Sequence, residues 1–195
     1  MFSFFHMQEK QILIGNVLVV VCCGFYLAWW LLTFRTSGPV TGVRTGWLLI
    51  PAGIAGLVGI ILAIRGMGLI EKTSGRQLFE GGHVALGGLA VYFILLAVTV
   101  FLLKRPVTSE LFLIVGWGVL ASTEINALFR SGLFPHRLSI ALLVLICAAL
   151  VVSLVCYILY YRLGGLASYI DGMVPLLLVA LVMVVISCFM VARNK

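Results

Sequence analysis

Very little of this chain is charged: Asp, Glu, Lys and Arg together supply 10% of its 195 residues, and only six residues are acidic. A soluble domain carries about 25% charged residues, so a water-solvated globular fold is excluded. Other absences narrow the chemistry. The five cysteines are odd in number, show no CxxC spacing and have no histidine beside them, which argues against a disulfide framework or a zinc site. The three histidines form neither H-x-x-x-H nor HExxH, so no metal or haem is expected, and no cofactor of any kind. Nothing matches a nucleophile elbow, a P-loop or a paired-aspartate phosphotransferase signature. Alternation of apolar and polar residues over about ten positions, the mark of a barrel strand, is also missing.

What is present is hydrocarbon. Apolar residues make up 63% of the chain and the mean hydropathy is +1.24. A helical span needs roughly 20 apolar residues, and six runs qualify: about 11–34, 46–65, 84–103, 111–129, 138–161 and 172–192. The expected fold is all-α, a polytopic integral membrane protein with six transmembrane helices in a single transmembrane domain over 1–195. The opening "MFSFFHMQEK" has one lysine, and the long run after it lacks a small-x-small cleavage site, so it reads as a retained helix rather than a signal peptide.

Thirteen basic residues are scattered at the ends of these runs instead of forming a patch, which fits lipid headgroups and not nucleic acid. Lys10, Arg65, Lys72, Arg76, Arg130, Arg137, Arg193 and Lys195 fall on the side of both termini, against Arg35, Arg44, Lys104, Arg105 and Arg162 on the other. The asymmetry places both termini in the cytoplasm, with the plasma (inner) membrane as the expected location.

The runs pair into three hairpins with a faint repeat. Each has a basic residue ending one helix and a glycine followed by a bulky residue opening the next: Arg35 to Gly46-Trp47, Lys104 to Gly116-Trp117, and Arg162 to Gly172-Met173, at intervals of 11, 12 and 10 residues. Units of two spans return the chain to the same side, so such repeats would be parallel about an axis along the membrane normal. Pro51 and Pro175 lie early in two of the return helices. The connector 66–82 mixes Met67, Leu69, Ile70, Leu78 and Phe79 with charges and ends at Gly81-Gly82. It reads as a segment at the headgroup boundary, or as a gate over a cytoplasmic opening. In the second span Gly53, Gly56 and Gly59 form a small-residue stripe, a helix contact within the bundle, between copies in a homo-oligomer, or with a partner membrane subunit.

The best lead to function is "GWGVLASTEINALFRSG", 116–132, which puts Glu124 and Asn126 inside a span. Glu124 is the only acidic residue set well inside a run, about 9 Å from Arg130 along a helix. An ionisable group there costs several kcal/mol unless it is protonated, paired or hydrated. Asn126 and Arg130 share a helix face one turn apart, whereas Glu124 is turned away from Arg130 and calls for a partner on another helix. His83 opens the neighbouring span on the same membrane side, with His136 close in depth. The expected site is therefore Glu124, Asn126, Arg130, His83 and His136, binding a small solute or ion; the alternative is a protonated or hydrogen-bonded Glu124 that locks helix packing, with Ser122 and Thr123 bonding backbone carbonyls. Trp29, Trp30, Trp47 and Trp117 read as interfacial anchors, and Asp171 as the N-cap of the last helix.

The stretch "FLLKRPVTSELFLIVGWGVLAS" resembles the small six-span HdeD-like acid-resistance membrane proteins, in which a basic-Pro turn likewise precedes a Gly-rich return helix. The resemblance implies a six-span fold and assigns no functional residue; the first and third turns depart from it. Three functions follow from the residues. The first is movement or sensing of a small solute or ion, with Glu124 as the group that would link it to protons. The second is a non-catalytic scaffold or accessory subunit of a larger membrane complex. An intramembrane enzyme acting on a lipid-like substrate comes third and lacks a second catalytic group, so the enzyme reading is disfavoured.

Overall fold

A computed structural model describes residues 7–35, 45–74, 79–101, 109–160 and 162–193, and the side chains of these except 34–35, 45, 71–74, 79–85, 99 and 109–112. His6, Lys104, Arg105 and residues 75–78 of the connector lie outside the described residues. All regular structure among the described residues is helical: α1 (Met7–Arg35), α2 (Leu49–Ser74, entered through a 3-10 turn at Thr45–Leu48), α3 (Phe79–Phe101), α4 (Ser109–Arg130), α5 (His136–Tyr160), α6 (Gly165–Asp171) and α7 (Val174–Arg193). Helix is the natural answer where no water can satisfy the backbone, because every N–H and C=O finds its partner within the segment.

Four described stretches are long and apolar enough to cross a membrane: Met7–Thr33, Gly46–Ile70, His136–Tyr160 and Gly165–Arg193. The shorter apolar stretch Leu86–Val98 lies in α3. The outward residues are themselves apolar, as Ile54, Leu57, Ile61 and Ile64 of α2 show. Such a surface suits acyl chains and not water. Residues 66–74, which belong to the segment read as a connector, continue α2 as regular helix, and α3 starts at Phe79.

The helices group into two compact units, one of residues up to Leu69 with those from Cys156 onward, the other of Ile70–Val155. In the first unit α1 is the hub. Its buried positions, Ile12, Gly15, Asn16, Val19 and Cys23, recur at three- and four-residue spacing, so they form one stripe along the helix. It runs antiparallel to α2, and the two backbones come closest at paired glycines. A Cβ built on Gly15 would lie 2.7 Å from Gly59 O and 2.9 Å from Ala63 N, and one on Gly59 would lie 2.8 Å from Gly15 O. Two turns toward the N-terminus of α1, a Cβ on Gly66 would meet Gln8 O at 2.8 Å. Lipid offers no hydrophobic drive for helices to associate, so backbone approach and dense packing have to supply it. On its other side α1 packs against α7, whose buried residues Val182, Met183, Ile186 and Met190 follow the same periodicity.

In the second unit α3 lies against α4 and α4 against α5. Gly88 of α3 receives the Val119 side chain, and Gly118 of α4 receives Leu150 of α5, whose Cδ1 would be 2.8 Å from an added Cβ. The α4–α5 turn is built by Gly132 at φ +80°, with Gly132 N–H donating to Phe129 O at 3.1 Å and Phe134 N–H to Leu128 O at 3.1 Å. These are the capping bonds of a helix that ends in a left-handed residue, a conformation only glycine takes freely. Phe134 is then 1% exposed, and Pro135 starts α5 by accepting the Ser139 N–H at 3.0 Å.

Candidate functional site

The second unit carries most of the residues singled out by sequence, on α4. This helix has a buried face formed by Gly118, Ala121, Glu124, Ile125 and Leu128. Glu124 has no solvent-exposed surface at all. It lies six residues from the helix end, about 9 Å of axial rise, so its depth is not an end effect. Thr123 Oγ1 donates to Val119 O at 2.7 Å, which settles that hydroxyl on its own helix.

Asn126 and Arg130 share α4 with Glu124 but not its direction. Two residues advance the helix by about 200°, and both side chains are half-buried where Glu124 is fully buried. They fall on the stripe that includes Val119, which faces Gly88 of α3. Arg130 also sits in the last turn of α4, where a cation complements the negative end of the helix dipole. The antiparallel pairing of Gly88 with Val119 brings α3 position 83 to about the depth of α4 position 124 at equal rise per residue; the His83 side chain lies outside those described. His136 opens α5, is exposed, and stacks obliquely on Phe129 with ring centroids 5.7 Å apart. The chain therefore gathers Glu124, Asn126, Arg130 and His136 around one end of α4, with Glu124 inward and the others on its flank or at the turn.

Trp117 changes character in the structure. It occupies the ninth position of the 22-residue α4, near mid-helix, whereas an interfacial anchor belongs at an end. Seven residues separate it from Glu124, which returns the helix to the same face within about 20°. Its indole N–H is shielded and has no hydrogen-bond partner among the described residues. A donor and a carboxyl thus share one buried stripe, with the small Ala121 between them.

On α1 two buried polar residues were passed over in the sequence: Asn16, 1% exposed, and Glu9, 6% exposed, seven residues apart. The signal for Asn16 was there, an amide within the run "LIGNVLVV", and the cost of burying an amide is the same physics that marked Glu124. Glu9 looked terminal, since it sits in the first turn of α1.

The glycine stripe of α2 is divided. Gly56 lies against Cys22 and Gly59 against Gly15, both on α1, while nothing lies within 4 Å of a Cβ on Gly53. Gly15 and Gly66 complete the seam. Asp171 is the last residue of α6 rather than the N-cap of α7, because Gly172 and Met173 keep helical bonding to Ser168 O and Ile170 O, at 3.0 and 3.1 Å.

No known family model matches the chain, and no curated protein or solved structure is significantly similar to it.

Proposed function

We propose that the protein moves or senses a small solute or ion across a membrane, with Glu124 as the group that exchanges a proton or binds the ion. The single observation that supports this reading most is the complete burial of Glu124 on the inward face of α4. A carboxyl at such a position is costly, and functional sites are the common reason for one. The indole N–H of Trp117 on the same stripe supplies a donor for a passing ligand or water. Asn126 and Arg130 on the flank of α4 and His136 at the start of α5 are the polar groups that would accompany Glu124, with position 83 of α3 at about the same depth.

In this proposal all six long helices cross the bilayer, and both termini and the α4–α5 turn face the cytoplasm. α3 and α4 have 23 and 22 residues, and each exceeds the roughly 30 Å hydrocarbon thickness at 1.5 Å per residue. The eight-to-five distribution of basic residues favours that orientation. The scaffold reading draws less support, since Gly56 and Gly59 are taken up by α1 of the same chain.

The test is proton flux in liposomes containing a trapped pH-sensitive dye, driven by an imposed potassium diffusion potential. The wild-type chain should acidify or alkalinise the lumen faster than empty vesicles, and Glu124→Gln should slow the response at least about tenfold, the scale on which losing a positioned proton-transfer group is felt. Equal rates for the two proteins, with both correctly inserted, would end the proposal.

A further inference from the structure

The first unit holds a second, independent constellation where the C-terminal end of α1 meets the end of α5 and the α6–α7 junction. Trp30 is turned inward: its Nε1 donates to Tyr169 O at 3.3 Å, and its ring centroid lies 6.1 Å from that of Tyr160. Tyr26 stands edge-on to Trp29 at 5.2 Å, and Trp29 to Trp30 at 6.3 Å. The indole edge reaches so far in because Gly172 has no side chain. A Cβ there would lie 2.6 Å from Trp30 Cζ2 and 3.3 Å from Tyr160 Cε2. An anchoring tryptophan would project toward headgroups; this one is clamped between a backbone carbonyl, a glycine and a tyrosine.

A carboxyl adjoins the glycine on which Trp30 and Tyr160 converge. Asp171 precedes Gly172 in sequence and accepts a hydrogen bond from the Cys156 thiol, one helical turn before Tyr160 on α5. Its Oδ2 is shielded and has no hydrogen-bond partner among the described residues. Ser168 does not serve it, since its hydroxyl donates to Tyr160 O at 3.1 Å. A carboxylate oxygen with no donor, one residue from the glycine against which Trp30 and Tyr160 pack, is an environment that a cation would complete: the rings attract positive charge through their quadrupoles and the carboxylate supplies the counter-charge. The described residues form no group of three His, Cys, Asp or Glu suited to a metal ion. The rings therefore favour a large, weakly hydrated cation over a small, strongly hydrated one.

We propose that Trp30, Tyr160 and Asp171 form a binding site for a quaternary ammonium group. The same chemistry is offered by a free solute or by the choline headgroup of a lipid. The site is separate from Glu124 and stands or falls independently of it.

The test uses the full chain in phosphatidylglycerol nanodiscs and equilibrium binding of radiolabelled tetraethylammonium, with empty nanodiscs as the blank. Saturable binding is expected, weakened about tenfold or more by Asp171→Asn and by Tyr160→Leu, the scale of a desolvated cation–aromatic contact. Cys156→Ser, which keeps a donor to Asp171, should bind as the wild type does. Replacing half of the lipid with phosphatidylcholine separates the sources. Competition identifies a headgroup site, and unchanged binding identifies a solute site. Either supports the proposal. Binding no greater than to empty nanodiscs, or full binding by a folded Asp171→Asn, overturns it; should that variant not fold, full binding by Tyr160→Leu does so.

Discussion

Glycines that look alike in the sequence have opposite roles here. Gly53 and Gly59 belong to one visible stripe, but only Gly59 meets another backbone, while Gly53 faces open space and Gly15, on a different helix, carries the other half of the crossing. Gly15→Ala should therefore destabilise the protein by about 1–3 kcal/mol, because the added methyl abuts backbone atoms that cannot step aside as a side chain would. Gly53→Ala should be neutral or stabilise by up to about 1 kcal/mol through helix propensity alone. Reversible unfolding in mixed micelles with increasing sodium dodecyl sulfate compares the pair, and equal losses would mean that the α1–α2 seam is misplaced. The difference was not legible in advance, since a glycine's burial depends on which helix lies beside it. Glu124 was legible, because the cost of a carboxyl in hydrocarbon does not depend on knowing its neighbours. Trp117 was less legible for the opposite reason: its residue type suits both an interface and a site, and its place near the middle of α4 emerges only from where the helix begins and ends.

At the scale of elements, the six apolar runs matched the long helices, and the ends departed. α2 continues to Ser74, well past Arg65, because a helix need not stop where the hydrocarbon does; its polar end can remain helical where water satisfies the side chains. The last run corresponds to α7, and a short helix with no counterpart among the six runs, α6, precedes it and joins it through Gly172 in the right-handed helical region. The α4–α5 junction offers a sharp test of local chemistry. Gly132→Val forces a β-branched residue into φ +80° and should cost about 1–2 kcal/mol or more. Phe134→Ala empties a site that is 1% exposed and should cost about 3–5 kcal/mol. Both losses should appear in the same micellar unfolding assay. A null result for Phe134→Ala would show that the turn does not seat against the helices.

At the scale of the whole molecule, cysteine labelling counts the helices that cross. Val107→Cys places a thiol between α3 and α4, and Asn194→Cys places one at the C-terminus. With six spans, a membrane-impermeant maleimide added to intact cells should label Val107→Cys and should reach Asn194→Cys only after permeabilisation; the unsubstituted chain, whose cysteines lie within the apolar helices, is the background. Labelling of Val107→Cys only after permeabilisation would leave α3 and α4 as a cytoplasmic-side hairpin and reduce the count to four.

Composition alone determined that this is a helical chain made for a membrane, because apolar runs of span length and scarce charge are properties of the residues and need no partner to express them. It also marked Glu124, for the same reason. Which face of each helix turns inward, which glycines touch, and that Asp171 meets Cys156 while Gly172 meets the Trp30–Tyr160 pair were decided only by tertiary structure. Helices that are apolar all round carry almost no amphipathic signal, so their rotation and pairing are set by how small and large side chains fit across the seam.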